Sequence, residues 1–130
     1  MKTFISIFLS FLLLAGCAGP AEQETDYRQI SMDQAIAMME EESAYIILDV
    51  RTPEEFSERH IPGAINIPNE TIGSGEIVQL PDKEQLILVY CRSGNRSKQA
   101  SEKLVSLGYT NIVEFGGIND WPGETVSGSE

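Results

Sequence analysis

The sequence predicts an α/β domain built on a mostly parallel sheet with helices on both faces. Three observations predict it. Apolar runs and stretches of helical period alternate as strand, helix, strand, helix, strand. The runs 45–48 and 86–90 are apolar without alternation, as expected of strands buried on both sides. Each of these runs leads into a chemically capable residue, Asp49 and Cys91. The carboxyl ends of strands are where open α/β sheets bind ligands.

The elements follow in order. Ser31-Met32-Asp33-Gln34 is a capping box, and Met32, Ala35, Ile36 and Met39 recur on one helical face. Glu40, Glu41 and Glu42 oppose the helix dipole and end that helix. Tyr45 to Leu48 forms a buried strand closing on Asp49. Thr52-Pro53-Glu54-Glu55 starts a short helix, with Thr52 as cap, Pro53 at the first helical position and Glu55 completing the box. Between Ile61 and Pro68, two prolines and Gly63 give a turn and then a short strand, while residues 69–79 allow at most a broken helix. Leu86 to Tyr90 is the most strand-like run and ends at Cys91. A helix over 97–107 carries Ala100, Leu104 and Leu107 on one face, with Gly108 as its stop. Ile112 to Phe115 is the last strand, halted by Gly116-Gly117.

Residues 1–16 are read as a leader. Lys2 precedes an apolar run from Phe4 to Leu14, too short to cross a bilayer and suited to a secretory signal. Leu14-Ala15-Gly16-Cys17 resembles a bacterial lipobox, which implies a lipidated Cys17 (palmitate among its acyl chains) as the mature N-terminus. The alternative is an ordinary signal peptide with Cys17 incidental. With Cys17, residues 18–26 form a flexible tether able to span about 30 Å when extended. The domain proper is placed at 27–122 and a disordered tail at 123–130. The expectation is a bacterial cell-envelope protein, held to a membrane by lipid, with its domain outside the cytoplasm.

The formal charge is −11, and losing Lys2 with the leader makes it −12. Such a domain does not attract nucleic acid or an anionic bilayer, so anchoring falls to the lipid. Once Cys17 is lipidated, Cys91 is the one remaining thiol and no internal disulfide can form.

The segment Cys91-Arg92-Ser93-Gly94-Asn95-Arg96-Ser97 joins the buried strand to a helix start. Gly94 permits a tight turn that aims successive N–H groups inward, and the helix N-terminus and two arginines add positive charge. All of these favour a thiolate at Cys91. Cys91 is the candidate nucleophile, Arg92 and Arg96 the anion-binding charges, and Ser93, Gly94 and Asn95 the backbone cradle.

Four segments resemble the rhodanese family, in the family's order: Asp49-Val50-Arg51-Thr52-Pro53-Glu54-Glu55-Phe56, then His60 through Pro68, then Tyr90 through Ser97, then Gly116-Gly117-Ile118 with Trp121. Together they reach across nearly all of 27–122. Arg59 departs from the pattern, standing where a glycine often precedes the histidine. The resemblance implies a sheet of about five strands and a monomeric enzyme without metal or cofactor. It implies thiosulfate sulfurtransferase chemistry: sulfane sulfur passes from thiosulfate or a similar donor, through a persulfide on Cys91, to cyanide or a thiol. Asp49, Arg51, Glu55 and His60 are read as structural residues near the site, and Trp121 as packing. Other readings stay open. The domain could be a persulfide carrier without turnover of small molecules. An arsenate reductase or phosphatase is disfavoured, because only four residues separate Cys91 from Arg96 where those loops have five.

Overall fold

The computed structural model describes residues 26–128. The leader, Cys17 and the tether as far as residue 25 lie outside the described residues, as do 129 and 130. Five parallel strands form one sheet in the order β1-β5-β4-β2-β3. They are β1 (Arg28–Gln29), β2 (Tyr45–Asp49), β3 (Ile65–Asn66), β4 (Leu86–Cys91) and β5 (Ile112–Gly117). The helices are α1 (Met32–Glu41), α2 (Pro53–Glu58) and α3 (Asn95–Ser106), with 3₁₀ turns at Asn69–Thr71 and Ile118–Asp120.

The fully buried strand β4 shows how the sheet divides the core. Ile87, Val89 and Cys91 face one apolar layer, which includes Ala100 and Leu104 of α3. Leu86, Leu88 and Tyr90 face the other, with Ala35, Met32, Met38 and Met39 of α1 and Phe56 of α2. Helices therefore cover both faces, as the unbroken apolar runs require. Both capping boxes form. Ser31 Oγ accepts from Gln34 N at 3.1 Å while Gln34 Oε1 accepts from Ser31 N at 2.9 Å, and Thr52 and Glu55 repeat the arrangement. Gly108, at φ +97°, closes α3 in a Schellman turn, its N–H reaching Val105 O and that of Tyr109 reaching Leu104 O.

Four features depart from the sequence reading. Strand β1 has no apolar signal, since both residues are exposed, and it exists because β5 offers an edge at Val113 and Glu114. Helix α3 begins at Asn95 rather than 97, because Gly94 adopts a left-handed conformation (φ +107°) and serves as its N-cap. Strand β5 does not stop at the glycine pair but continues through Gly117, which pairs with Cys91. The tail is bonded to the domain as far as Gly128. His60 and Val126 form an antiparallel bridge with N···O distances of 2.8 and 3.0 Å, and Gly128 N donates to Ser57 O.

Candidate active site

The carboxyl end of β4 delivers Cys91 into the loop that starts α3, and the thiol is only 1% exposed. The Gly94 N–H donates to Cys91 Sγ at 3.0 Å. That bond depends on the left-handed turn at Gly94, which only glycine adopts without strain. Gly94 also sits closely over β5, where a Cβ would lie 3.6 Å from Gly116 Cα. On the other side of the sulfur, Cys91 Sγ donates to Ser97 Oγ at 3.4 Å. Ser97 Oγ in turn donates to Glu114 Oε1 at 2.7 Å, which also accepts from Gly116 N at 2.8 Å.

The loop backs directly onto β5. A Cβ on Gly117 would stand 2.0 Å from Arg92 O and 2.5 Å from Ser93 N. Asn119 N donates to Arg92 O at 3.2 Å, so the turn after β5 also ties down the loop. The glycine pair thus holds the Cys91 loop in place, a role the sequence reading did not give it.

The two loop arginines have different settings. Arg96 makes a two-pronged ion pair with Glu55, at 2.7 and 3.0 Å. Arg92 is exposed and makes no ion pair among the described residues. Arg92 lines a cleft of about 280 Å³ with Arg59, Glu58, Glu55, Arg51, Ile118 and Asn119. A second cleft of similar size runs along the loop's other side, past Ser93, Gly94, Lys98 and Glu114. A larger cleft, about 380 Å³, includes Glu42, Asp82 and Gln85 and none of the loop residues, so size does not mark the site. Ser93 and Asn95 are exposed on the loop itself.

The residues read as structural are tied into the scaffold by the following contacts. Arg51 and Asp49 form an ion pair at 2.7 Å with side chains 4% and 0% exposed, and Arg51 Nη2 also donates to Arg59 O at 2.7 Å. This fixes the chain just before His60. The buried His60 ring stacks on Phe56 at 3.7 Å and bonds Phe56 O through Nδ1. Trp121 is half-buried against the α1 side of the core. Glu55 does more than cap α2, since it also holds Arg96.

That hydrogen bond from Arg96 is the main reason the Glu55 carboxyl is lowered from its ordinary 4.5 to about 2. A depressed carboxyl adds stability above its unfolded value and loses it as pH falls toward the folded value. Glu55→Gln is therefore expected to cost on the order of 1 kcal/mol at neutral pH. The gap to wild type should narrow between about pH 4.5 and about pH 2. Urea midpoints across that range check it; a gap that stays constant with pH would refute the assignment.

Comparison with known proteins adds the family. The model of the rhodanese-like domain matches residues 31–124. The chain belongs to the rhodanese-like family. It is similar to the thiosulfate sulfurtransferase PspE of Escherichia coli, 41% identical over 56% of this chain and 70% of that protein. It is 31% identical to the thiosulfate sulfurtransferase GlpE of Pseudomonas entomophila, over 81% of this chain and 97% of that one. Among solved structures, a rhodanese with anions from E. coli superposes with a TM-score of 0.60 at 39% identity, covering 65% of this chain and all of that one. The rhodanese-like fold accounts for the parallel five-stranded sheet with helices on both faces.

Proposed function

We propose that this rhodanese-like domain is a sulfurtransferase that carries sulfane sulfur as a persulfide on Cys91. The observation that carries the reading is the Gly94 N–H aimed at Cys91 Sγ from 3.0 Å, at the carboxyl end of the central strand. The relatives named thiosulfate sulfurtransferase support it. The Cys91 thiolate attacks the outer sulfur of thiosulfate or a similar donor, and sulfite leaves. Cyanide or a thiol then attacks the terminal sulfur and restores the thiolate, a ping-pong cycle with a covalent intermediate. The cradle formed by Ser93, Gly94 and Asn95 supplies N–H groups for the anionic sulfur. Arg92, with Arg59 in the same cleft, offsets the repulsion between an anionic donor and an acidic protein. Arg96 contributes by holding the loop to α2 through Glu55. Because Glu55 occupies its guanidinium, Arg96 is poorly placed to close a phosphate or arsenate loop, which favours sulfur over a tetrahedral oxyanion.

Intact mass tests the reading. Thiosulfate should add one sulfur, about 32 Da, and cyanide should remove it as thiocyanate with repeated turnover. Uptake without turnover to any small acceptor would make the domain a carrier. No uptake, with Cys91-dependent hydrolysis of a phosphate ester, would overturn the proposal.

We further propose that Cys17 is lipidated and holds the domain outside the cytoplasm on a bacterial membrane, on the strength of the Leu14–Cys17 motif behind its apolar run. Cys17→Ala should release the protein or stall its processing. A mature N-terminus that is unmodified, or lies elsewhere, would refute this.

A further inference from the structure

Glu114 is a buried carboxylate in a strand whose alternation calls for an apolar residue. Its neighbours Val113 and Phe115 point into the α1 side of the core, so Glu114 shares the opposite face with Ile112 and Cys91. It is 3% exposed and makes no ion pair among the described residues. A carboxylate in that position is costly to bury without compensation. Its compensation is the pair of donors at Oε1, Ser97 Oγ–H and Gly116 N–H.

The direction of these bonds has a consequence for Cys91. Ser97 has one hydroxyl proton; it is directed to Glu114 Oε1 at 2.7 Å, much nearer than the other acceptor on that side, Gly116 O at 3.4 Å. Ser97 therefore presents only lone pairs to the sulfur at 3.4 Å, which suits a thiol and opposes an anion. Gly94 N–H, on the other side, suits the anion. The two contacts agree only if the Ser97 hydroxyl reverses when the sulfur becomes charged.

We propose that Glu114 is a positioning residue that receives the Cys91 proton through Ser97. The S–H proton passes to Ser97 Oγ as the Ser97 proton passes to Glu114 Oε1. Ser97 then donates to the thiolate, and Glu114 is a neutral acid that donates to Ser97. The thiolate attacks the outer sulfur of thiosulfate. The Cys91 S–H bond and the donor's S–S bond break; the persulfide S–S bond and the Glu114 O–H bond form; sulfite leaves. The negative charge moves from Glu114 to the sulfur, so the buried site gains no net charge on activation. Other groups bearing on this chain are Arg96, which feels the charge on Cys91, with its partner Glu55; Tyr27, which feels Glu114; and Lys98 and Asp120, which line the cleft beside Glu114.

The inference rests on Cys91 being the working nucleophile, but its test needs no sulfur transfer. In the full-length protein, iodoacetamide labelling is followed on the Cys91 peptide from about pH 5 to about pH 7. An internal proton transfer leaves the total proton count unchanged, so wild-type labelling should vary by less than about threefold over this range, since only the thiolate reacts. Glu114→Gln keeps an acceptor for Ser97 and Gly116 but cannot take the proton. Its labelling should fall about tenfold for each unit by which the pH is lowered, as for an isolated thiol. Ser97→Ala, which breaks the path at its middle, should give the same slope. Equal slopes in wild type and both variants would overturn the relay. So would a steep slope in wild type. If wild type labels as expected but takes up no sulfur, the relay stands and the sulfurtransferase reading fails.

Discussion

Cys91→Ser is expected to abolish sulfur uptake from thiosulfate and to lower thiocyanate formation by at least about a thousandfold, while the domain stays folded. The argument is local. Serine fills the same place at the end of β4, and its hydroxyl can still accept from Gly94 N and donate to Ser97 Oγ, the two contacts the thiol makes. The stability change should stay within roughly 1–2 kcal/mol, the scale of a weakened buried hydrogen bond. Function differs because a serine hydroxyl is scarcely ionised near neutral pH and forms no persulfide. Cys91 is the one free thiol among the described residues, so no second sulfur there can take over. Intact mass before and after thiosulfate reads the first step, and thiocyanate reads the cycle. Persistent addition of sulfur to a folded Cys91→Ser variant would refute the assignment of the nucleophile.

Much of this arrangement is legible in sequence, for reasons that differ by residue. The strands ending at Asp49 and Cys91 are visible because a sheet covered on both faces needs unbroken apolar runs. Both capping boxes are visible because their spacing is local. Cys91 and Gly94 stand out because the loop concentrates glycine, arginine and a lone thiol between a strand and a helix. What stays hidden depends on contacts distant along the chain. The reach of Arg96 to Glu55 crosses 41 residues, and nothing local to either residue indicates it. Strand β1 is two exposed polar residues whose only cause is the edge of β5. Glu114 did leave a signal, a single charge in an otherwise apolar strand, but reading it needs the face on which that charge falls. The same holds for the tail: Val126 is 39% exposed, and its pairing with His60 is made by backbone atoms that carry no side-chain signature.

Gly117→Ala is expected to damage both the site and the fold, although residue 117 touches no substrate. Its backbone is extended (φ −140°), so a side chain is tolerated conformationally and the objection is one of space. The new Cβ would meet Arg92 O at 2.0 Å, Arg92 C at 2.3 Å and Ser93 N at 2.5 Å. All three are backbone atoms of the loop that carries Cys91, so no rotamer change relieves the overlap. The loop must withdraw by about 1 Å or β5 must shift, and overpacking of this kind costs roughly 1–3 kcal/mol or more. For a domain of this size that is a fall in Tm of roughly 5–20 °C. Withdrawal of the loop would also draw Gly94 N away from Cys91 Sγ and loosen Asn119 N from Arg92 O. A misplacement of about 1 Å can cost on the order of a hundredfold in rate. Gly116→Ala serves as a comparison because nothing lies within 4 Å of its Cβ position, and its penalty comes from φ +97° instead. It should lower Tm with a smaller loss of rate per degree. Thermal melts paired with single-turnover sulfur uptake, measured well below both transitions, separate the two. If Gly117→Ala kept wild-type uptake and wild-type Tm, β5 would not be the wall against which the Cys91 loop is set.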